Sequence, residues 1–156
     1  MRVYLIRHGR ALSNTTDSIR PLSEIGVKET EKIASILAFS GLIKVTCIFH
    51  SELLRSKQTA QILANHLNPT NGLKLMEGIA PFDSPETCIN ILNSLDEDVI
   101  VAGHEPHLST TASMMLTGIN GRMDFIFSKS GIICLEKFGD KKWCVVPLFV
   151  FGDEKG

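Results

Sequence analysis

What the chain lacks narrows its options first. Its four cysteines, Cys47, Cys88, Cys134 and Cys144, form no Cys-x-x-Cys pair, which removes the spacing of a cysteine-based metal or redox site. Three of them fall inside apolar runs, and all four read as reduced core residues of a cytosolic protein. The four consecutive apolar residues before Arg7 are too few for a signal peptide. No apolar run approaches the ~20 residues that a bilayer demands. With 16 Lys and Arg against 17 Asp and Glu, the net charge is −1, and the basic excess of a nucleic-acid binder is missing. There are no internal repeats, linkers or low-complexity stretches. A soluble, cytoplasmic protein with no membrane and no nucleic-acid partner is expected.

What is present is an alternation of short β-rich runs and longer periodic segments. Val3–Ile6 is apolar, rich in β-formers and too short for a helix. Val45–Phe49 and Leu73–Met76 are similar runs, and Val99–Ala102 reads as a buried strand. Helices are expected between them. The first runs from Glu24 to Phe39, with Ser23 as N-cap and Ile33, Ile36 and Leu37 inward. The second runs from Glu52 to Leu67, with Ser51 as N-cap and Ala60, Leu63, Ala64 and Leu67 on one face. A third carries Cys88, Ile91, Leu92 and Leu95 after Asp83-Ser84-Pro85, and a fourth spans Pro106 to Leu116. Glu29, Glu31 and Lys32 are expected on a solvated face. Ile132–Glu136 and Trp143–Val150 read as two strands joined by a hairpin turn at Gly139–Lys142. This order predicts an α/β three-layer sandwich, with a mostly parallel central sheet and helices on both faces. At 156 residues the chain suits one domain, expected over 1–151, with 152–156 as a short C-terminal tail.

Chemistry gathers where the strands end. The first run stops at Arg7-His8-Gly9, the second leads through Ser51 toward Arg55, and the fourth stops at Gly103-His104. Parallel strands with right-handed crossovers bring these ends to one edge of the sheet, where open α/β sheets bind ligands. Arginine presents a planar fork of donors suited to phosphate oxygens. Histidine can act as nucleophile, acid or base. Helix N-termini on the same edge add dipole and free N–H groups that favour an anion. Two arginines, two histidines and helix N-termini make a phosphate pocket. Zinc is disfavoured as an alternative, because the arginines repel a cation and no third ligand is suitably spaced.

These motifs carry a resemblance. Arg7-His8-Gly9 after an N-terminal strand, Ser51-x-x-x-Arg55-x-x-Gln58-Thr59-Ala60, and Gly103-His104 resemble, in order, the three signatures of the histidine phosphatase (phosphoglycerate mutase-like) superfamily. Arg20-Pro21-Leu22-Ser23-x-x-Gly26 is similar to a stretch of its small phosphohistidine phosphatases, the SixA type. The short length fits that subgroup too. The resemblance implies a phosphoglycerate mutase-like fold, with the whole domain a histidine phosphatase domain. It implies that His8 takes the phosphoryl group while Arg7, Arg55 and His104 hold its oxygens, and that no cofactor or metal is needed. Arg20, Asn14 and Glu105 are possible secondary contacts.

The weakest part of the match is a general acid. Glu77 is the first candidate, Glu105 the second and Asp83 the third. An alkoxide leaving group depends on such an acid, whereas an imidazole, with an ordinary pKa near ~6.5, leaves readily once protonated. A missing acid therefore favours phosphohistidine substrates. Position 10 holds Arg10, read as an exposed loop arginine. His50 reads as a loop histidine, His66 as structural and His107 as a neighbour of the site. Ser51 reads as a helix cap, and Phe125, Phe127 and Trp143 as core. The expected activity is a metal-independent phosphatase working through His8, with a phosphohistidine-containing protein as substrate and partner. The alternatives are a phosphatase for small phosphoesters such as sugar phosphates or nucleotides, and a non-catalytic domain that binds phosphorylated partners. A receiver-like domain would need acidic residues where this chain has Arg7 and His8.

Overall fold

The computed structural model describes residues 1–13, 16–139 and 142–148. Six strands form one sheet: β1 (Arg2–Arg7), β2 (Cys47–His50), β3 (Leu73–Leu75), β4 (Val99–Gly103), β5 (Ile132–Phe138) and β6 (Lys142–Val146). Their order is β3-β2-β4-β1-β5-β6. The first four in that order are parallel, while β5 runs antiparallel to β1 and β6 antiparallel to β5. The expected mostly parallel α/β sandwich is present. Residues 140 and 141 of the hairpin turn, the end of the last expected strand at 149–150, and the tail at 152–156 lie outside the described residues.

The strands read as continuous apolar runs because both faces of the sheet are covered. Side chains alternate across the sheet. Val3 and Leu5 of β1 join Cys88 and Leu92 of α3 (Pro85–Ser94) and Leu108 and Ala112 of α4 (His107–Thr117) in one core. Tyr4 and Ile6 join Ala34 and Leu37 of α1 (Glu24–Ser40) and Ala60 and Leu63 of α2 (Leu54–Leu67) in the other.

Several expectations are corrected. Ile36 is 42% exposed rather than inward. The buried stripe of α1 runs through Gly26, Thr30, Ala34 and Leu37, and Ile36, two residues from Ala34, faces away. Glu29 and Glu31 are not free surface charges: Glu29 accepts from Arg10 at 3.0 Å, and Glu31 pairs with His66 on α2. Cys47, Cys88 and Cys134 are buried free thiols, but Cys144 is exposed, because its side chain alternates with that of buried Trp143. The second helix begins at Leu54 with no side-chain cap at Leu53, so Ser51 is not its N-cap. His50 is buried at the end of β2, its Nδ1–H donating to the Ser51 carbonyl at 2.8 Å.

Ser23 caps α1 as expected, accepting the Gly26 N–H at 3.1 Å. Gly26 brings the first turn of α1 against the loop that leaves β1. A Cβ there would stand 2.0 Å from the Arg10 carbonyl oxygen, and backbone cannot swing aside as a side chain would. Gly26→Ala is therefore expected to destabilise the fold by about 3 kcal/mol, lowering the melting temperature by roughly 10 °C. An unchanged thermal transition would show that α1 is not held against Arg10.

Candidate active site

The pairing of β1 with β4 sets Arg7 opposite Gly103, so the residues that follow both strands emerge side by side. The rings of His8 and His104 lie with centroids 5.0 Å apart. Arg55, on the first turn of α2, reaches them: its Nε donates to His8 Nε2 at 3.3 Å. His8, Arg55 and His104 are 4%, 2% and 1% exposed. Three of the four expected principal residues thus meet directly. The fourth, Arg7, ends β1 and donates from Nη1 to the Phe127 carbonyl at 2.7 Å.

The hydrogen bonds define the state of His8. A carbonyl can only accept, so the 2.7 Å contact from Nδ1 to the Gly9 oxygen places the ring proton on Nδ1. Nε2 then accepts from Arg55 and carries a lone pair into the site. Burial, followed by the positive charge of Lys129, pushes the His8 pKa down to about 3, which keeps that lone pair unprotonated at neutral pH. Burial, then His8 and Arg55, pushes His104 down to about 3 as well.

Ser51 orients His104. Its Oγ accepts the Leu53 N–H at 3.2 Å and meets His104 Nε2 at 2.6 Å. The other ring nitrogen of His104 is Nδ1. That Nδ1 is buried with no partner among the described residues, as are Arg7 Nε and Arg20 Nε. Two guanidinium donors and one ring nitrogen are therefore unpaired, an arrangement that costs about 1–3 kcal/mol each unless a partner answers them. An anion with several oxygens suits the two arginine donors.

The remaining motif residues hold this geometry together. Thr59 Oγ1 accepts the Gly9 N–H at 3.1 Å and donates to the Arg55 carbonyl at 2.8 Å. Gln58 Oε1 accepts the Leu22 N–H at 2.7 Å, tying down the Arg20-Pro21-Leu22 stretch. Asp17 pairs with Arg55 at 3.3 Å and with Arg20 at 3.1 Å, which joins the secondary candidate Arg20 to the cluster. Glu105 is otherwise occupied. Its carboxylate accepts from the Phe127 N–H at 3.2 Å and from Ser109, so it braces the segment whose carbonyl holds Arg7. Glu77 is exposed in the turn after β3 and makes no hydrogen bond among the described side chains. Asp83 accepts the Ala80 N–H at 2.8 Å. Asn14 lies outside the described residues. Arg10 is 61% exposed on its pair with Glu29. His107 opens α4, buried, with Nδ1 3.4 Å from Thr111 Oγ1.

Sequence reasoning missed Lys129 and the role of Ser51. Lys129 sits in the turn before β5, and only the antiparallel course of β5 brings that turn to the site. The signal available was its turn composition, Ser128-Lys129-Ser130-Gly131. Among the described residues no group of three or more His, Cys, Asp or Glu is placed to hold a metal ion.

The description of the histidine phosphatase superfamily (branch 1) matches residues 3–80. The chain is 33% identical over 143 residues to an uncharacterised protein of a Picosynechococcus species, covering 86% of this chain and 84% of that one. It is 37% identical over 70 residues to a probable phosphoglycerate mutase of Yersinia pestis, covering 42% of this chain but only 31% of the mutase. The fold superposes on the protein histidine phosphatase SixA, solved with tungstate, with a TM-score of 0.85, 22% identity and 94% of each chain covered. The chain belongs to the histidine phosphatase superfamily. Its chemistry is therefore that of a phosphatase or mutase.

Two outcomes are expected from the site. Ser51→Ala should weaken binding of vanadate about 10-fold by releasing His104, while Ser51→Thr, which keeps the hydroxyl, stays within about threefold; calorimetric titration decides, and equal binding by the alanine variant would detach Ser51 from His104. Separately, both histidines have folded pKa values of about 3, below the ordinary 6.5. The neutral rings contribute stability that is complete above pH 6.5 and is lost as pH falls toward 3. Acid unfolding of His8→Asn/His104→Asn should accordingly show a shallower loss of stability below about pH 6 than the unaltered protein.

Proposed function

We propose that this protein is a phosphatase that forms a covalent phosphohistidine on His8, with a phosphohistidine-bearing protein as substrate. The observation that carries the reading is the proton placement at His8: Nδ1 is committed to the Gly9 carbonyl, and the Nε2 lone pair points at the arginine of the site. In the first step Nε2 attacks phosphorus and the bond from phosphorus to the leaving group breaks, with the pair of electrons going to the leaving atom. In the second, water attacks phosphorus, the bond from phosphorus to Nε2 breaks with its electron pair returning to Nε2, the water proton passes to solvent, and inorganic phosphate departs with His8 neutral again. Arg7, Arg20 and Arg55 neutralise the equatorial oxygens, the main help that phosphoryl transfer needs, and neutral His104 lies beside them. The proposed roles require no metal.

The placement of the carboxylates supports the choice of substrate. Glu105 is engaged with backbone, and Glu77 stands exposed beyond β3, three strands from β1. An imidazole leaving group tolerates a weak acid better than an alkoxide does. The SixA fold likeness supports the same choice, while likeness to a phosphoglycerate mutase keeps small phosphoesters in the comparison.

An assay in excess chelator tests the reading, with a phosphohistidine-bearing domain and a panel of sugar phosphates and nucleotides as substrates. Turnover is expected to persist with chelator, to fall at least about 10³-fold in His8→Ala, and to favour the phosphohistidine domain. Glu77→Gln is expected to leave phosphohistidine turnover within about threefold. A preference for small phosphoesters that collapses in Glu77→Gln would move the assignment to a phosphoester phosphatase. Turnover that survives loss of His8 would reject the mechanism.

A further inference from the structure

One cation at the site belongs to none of the sequence motifs. Lys129 occupies the turn between α4 and β5, and that turn is clamped to the end of β1 on both sides of it. Before it, the Phe127 carbonyl accepts from Arg7 Nη1 at 2.7 Å. After it, the Ser130 N–H donates to the Arg7 carbonyl at 3.1 Å, and the Gly131 carbonyl accepts the Arg7 N–H at 3.0 Å. The Gly131 N–H closes the turn on the Ser128 carbonyl at 2.9 Å. Ser130 stands at a φ of 58°, and its buried hydroxyl meets Thr30 Oγ1 at 2.9 Å. The backbone on both sides of half-buried Lys129 is thereby fixed to the strand that ends in Arg7.

That place is hostile to an isolated ammonium group. Arg7 from β1, Arg10 and Arg20 from the loop after β1, and Arg55 from α2 all repel it, and burial disfavours its charge further. Lys129 in turn is the charge that acts most strongly on His8. Among the described residues it has no ion pair, and the carboxylate nearest this chemistry, Asp17, is taken by Arg55 and Arg20. Polar atoms of Arg7, Arg20 and His104 are unpaired in the same cluster. Desolvated cations that outnumber the carboxylates among them gain from a multivalent anion.

We propose that Lys129 is the fourth cation of the phosphoryl pocket, beside Arg7, Arg20 and Arg55, and contacts the oxygens of the bound phosphoryl dianion from the β5 side. This rests on the reading of the pocket as a phosphoryl site. Lys129 differs from the arginines in one respect: they keep their protons across the working range, and it does not. Burial and the four arginines pull its pKa down from 10.5 to about 8. Anion binding favours the ammonium form, so affinity must fall as pH rises through about 8. His8 and His104 stay neutral throughout that interval, being held at about 3, and the facing arginines stay charged. Lys129 is then the group of the pocket that sets the alkaline limit of binding.

Tungstate is the probe, since it remains a dianion from neutral to alkaline pH and its binding needs no turnover. Calorimetry on the full chain compares the unaltered protein with Lys129→Met and Lys129→Arg between about pH 7 and about pH 10. At neutral pH, Lys129→Met should bind tungstate about 10- to 100-fold more weakly, and Lys129→Arg within about threefold. The unaltered protein should lose affinity above about pH 8, while Lys129→Arg stays flat. Without anion, Lys129→Met should melt at the same or a higher temperature, because a repelled, desolvated charge has been removed; a residue that only braced the turn would melt lower. Equal tungstate affinity in Lys129→Met, or an alkaline loss that persists in Lys129→Arg, overturns the assignment of Lys129 and leaves the phosphoryl site standing. Failure of the unaltered protein to bind tungstate at any pH overturns the site itself.

Discussion

The parallel register of β1 on β4, with Arg7 opposite Gly103, is the constraint on which the rest depends. The His8 N–H extends the ladder to the Gly103 carbonyl at 3.0 Å, so the chain leaves both strands at one level and two histidines emerge together. A slip of one residue would exchange the two faces of β1. Val3 and Leu5 would leave the core against α3 and α4, Tyr4 and Ile6 would leave the core against α1 and α2, and the histidines would separate. Packing of both cores thus enforces the position of the chemistry, and the same apolar contacts that hold the fold align the site.

Around this frame, α2 acts as a clasp. Ser56 Oγ donates to the Ala102 carbonyl at 2.7 Å and accepts the Ser51 N–H at 3.0 Å. Thr59 holds Gly9 and Gln58 holds Leu22. A single helical face therefore binds the end of β4, the turn after β1 and the loop that carries Arg20, and delivers Arg55 into their midst. These hydroxyl and amide contacts are short-range and neutral, so they are insensitive to salt and do not consume the arginine charges. A chain with a net charge of −1 concentrates positive potential at one edge of its sheet, which draws anions toward the mouth.

Much of this was legible in the sequence. Strand ends carry chemistry in open α/β sheets, and the runs ending at Arg7, Ser51 and Gly103 were short and apolar enough to place. The first helix was bounded correctly, because Ser23 and Gly41 are strong local signals. What escaped depended on tertiary contact. Ser51 precedes a helix and looks like a cap, but its hydroxyl serves His104, fifty-three residues away. Glu29 and Glu31 look solvated along α1, yet each answers a basic side chain from another segment. Lys129 lies in a turn with no periodicity, and its place follows only from the antiparallel pairing of β5 with β1.

That pairing separates two duties within the molecule. Strands β1, β2 and β4 finish at one edge and pass into the segments that carry His8, Arg55 and His104, so their lengths set where those residues stand. β5 begins at that edge instead. The stretch that delivers it, from Gly118 to the Lys129 turn, exposes Ile119, Met123 and Ile126 and carries no part of the sheet. Side chains can be exchanged at those exposed positions while every strand end stays where it is, with buried Phe127 still holding Arg7 through its carbonyl. The surface beside the lysine turn can thus change at its own pace, while the histidines and arginines stay where the strands put them.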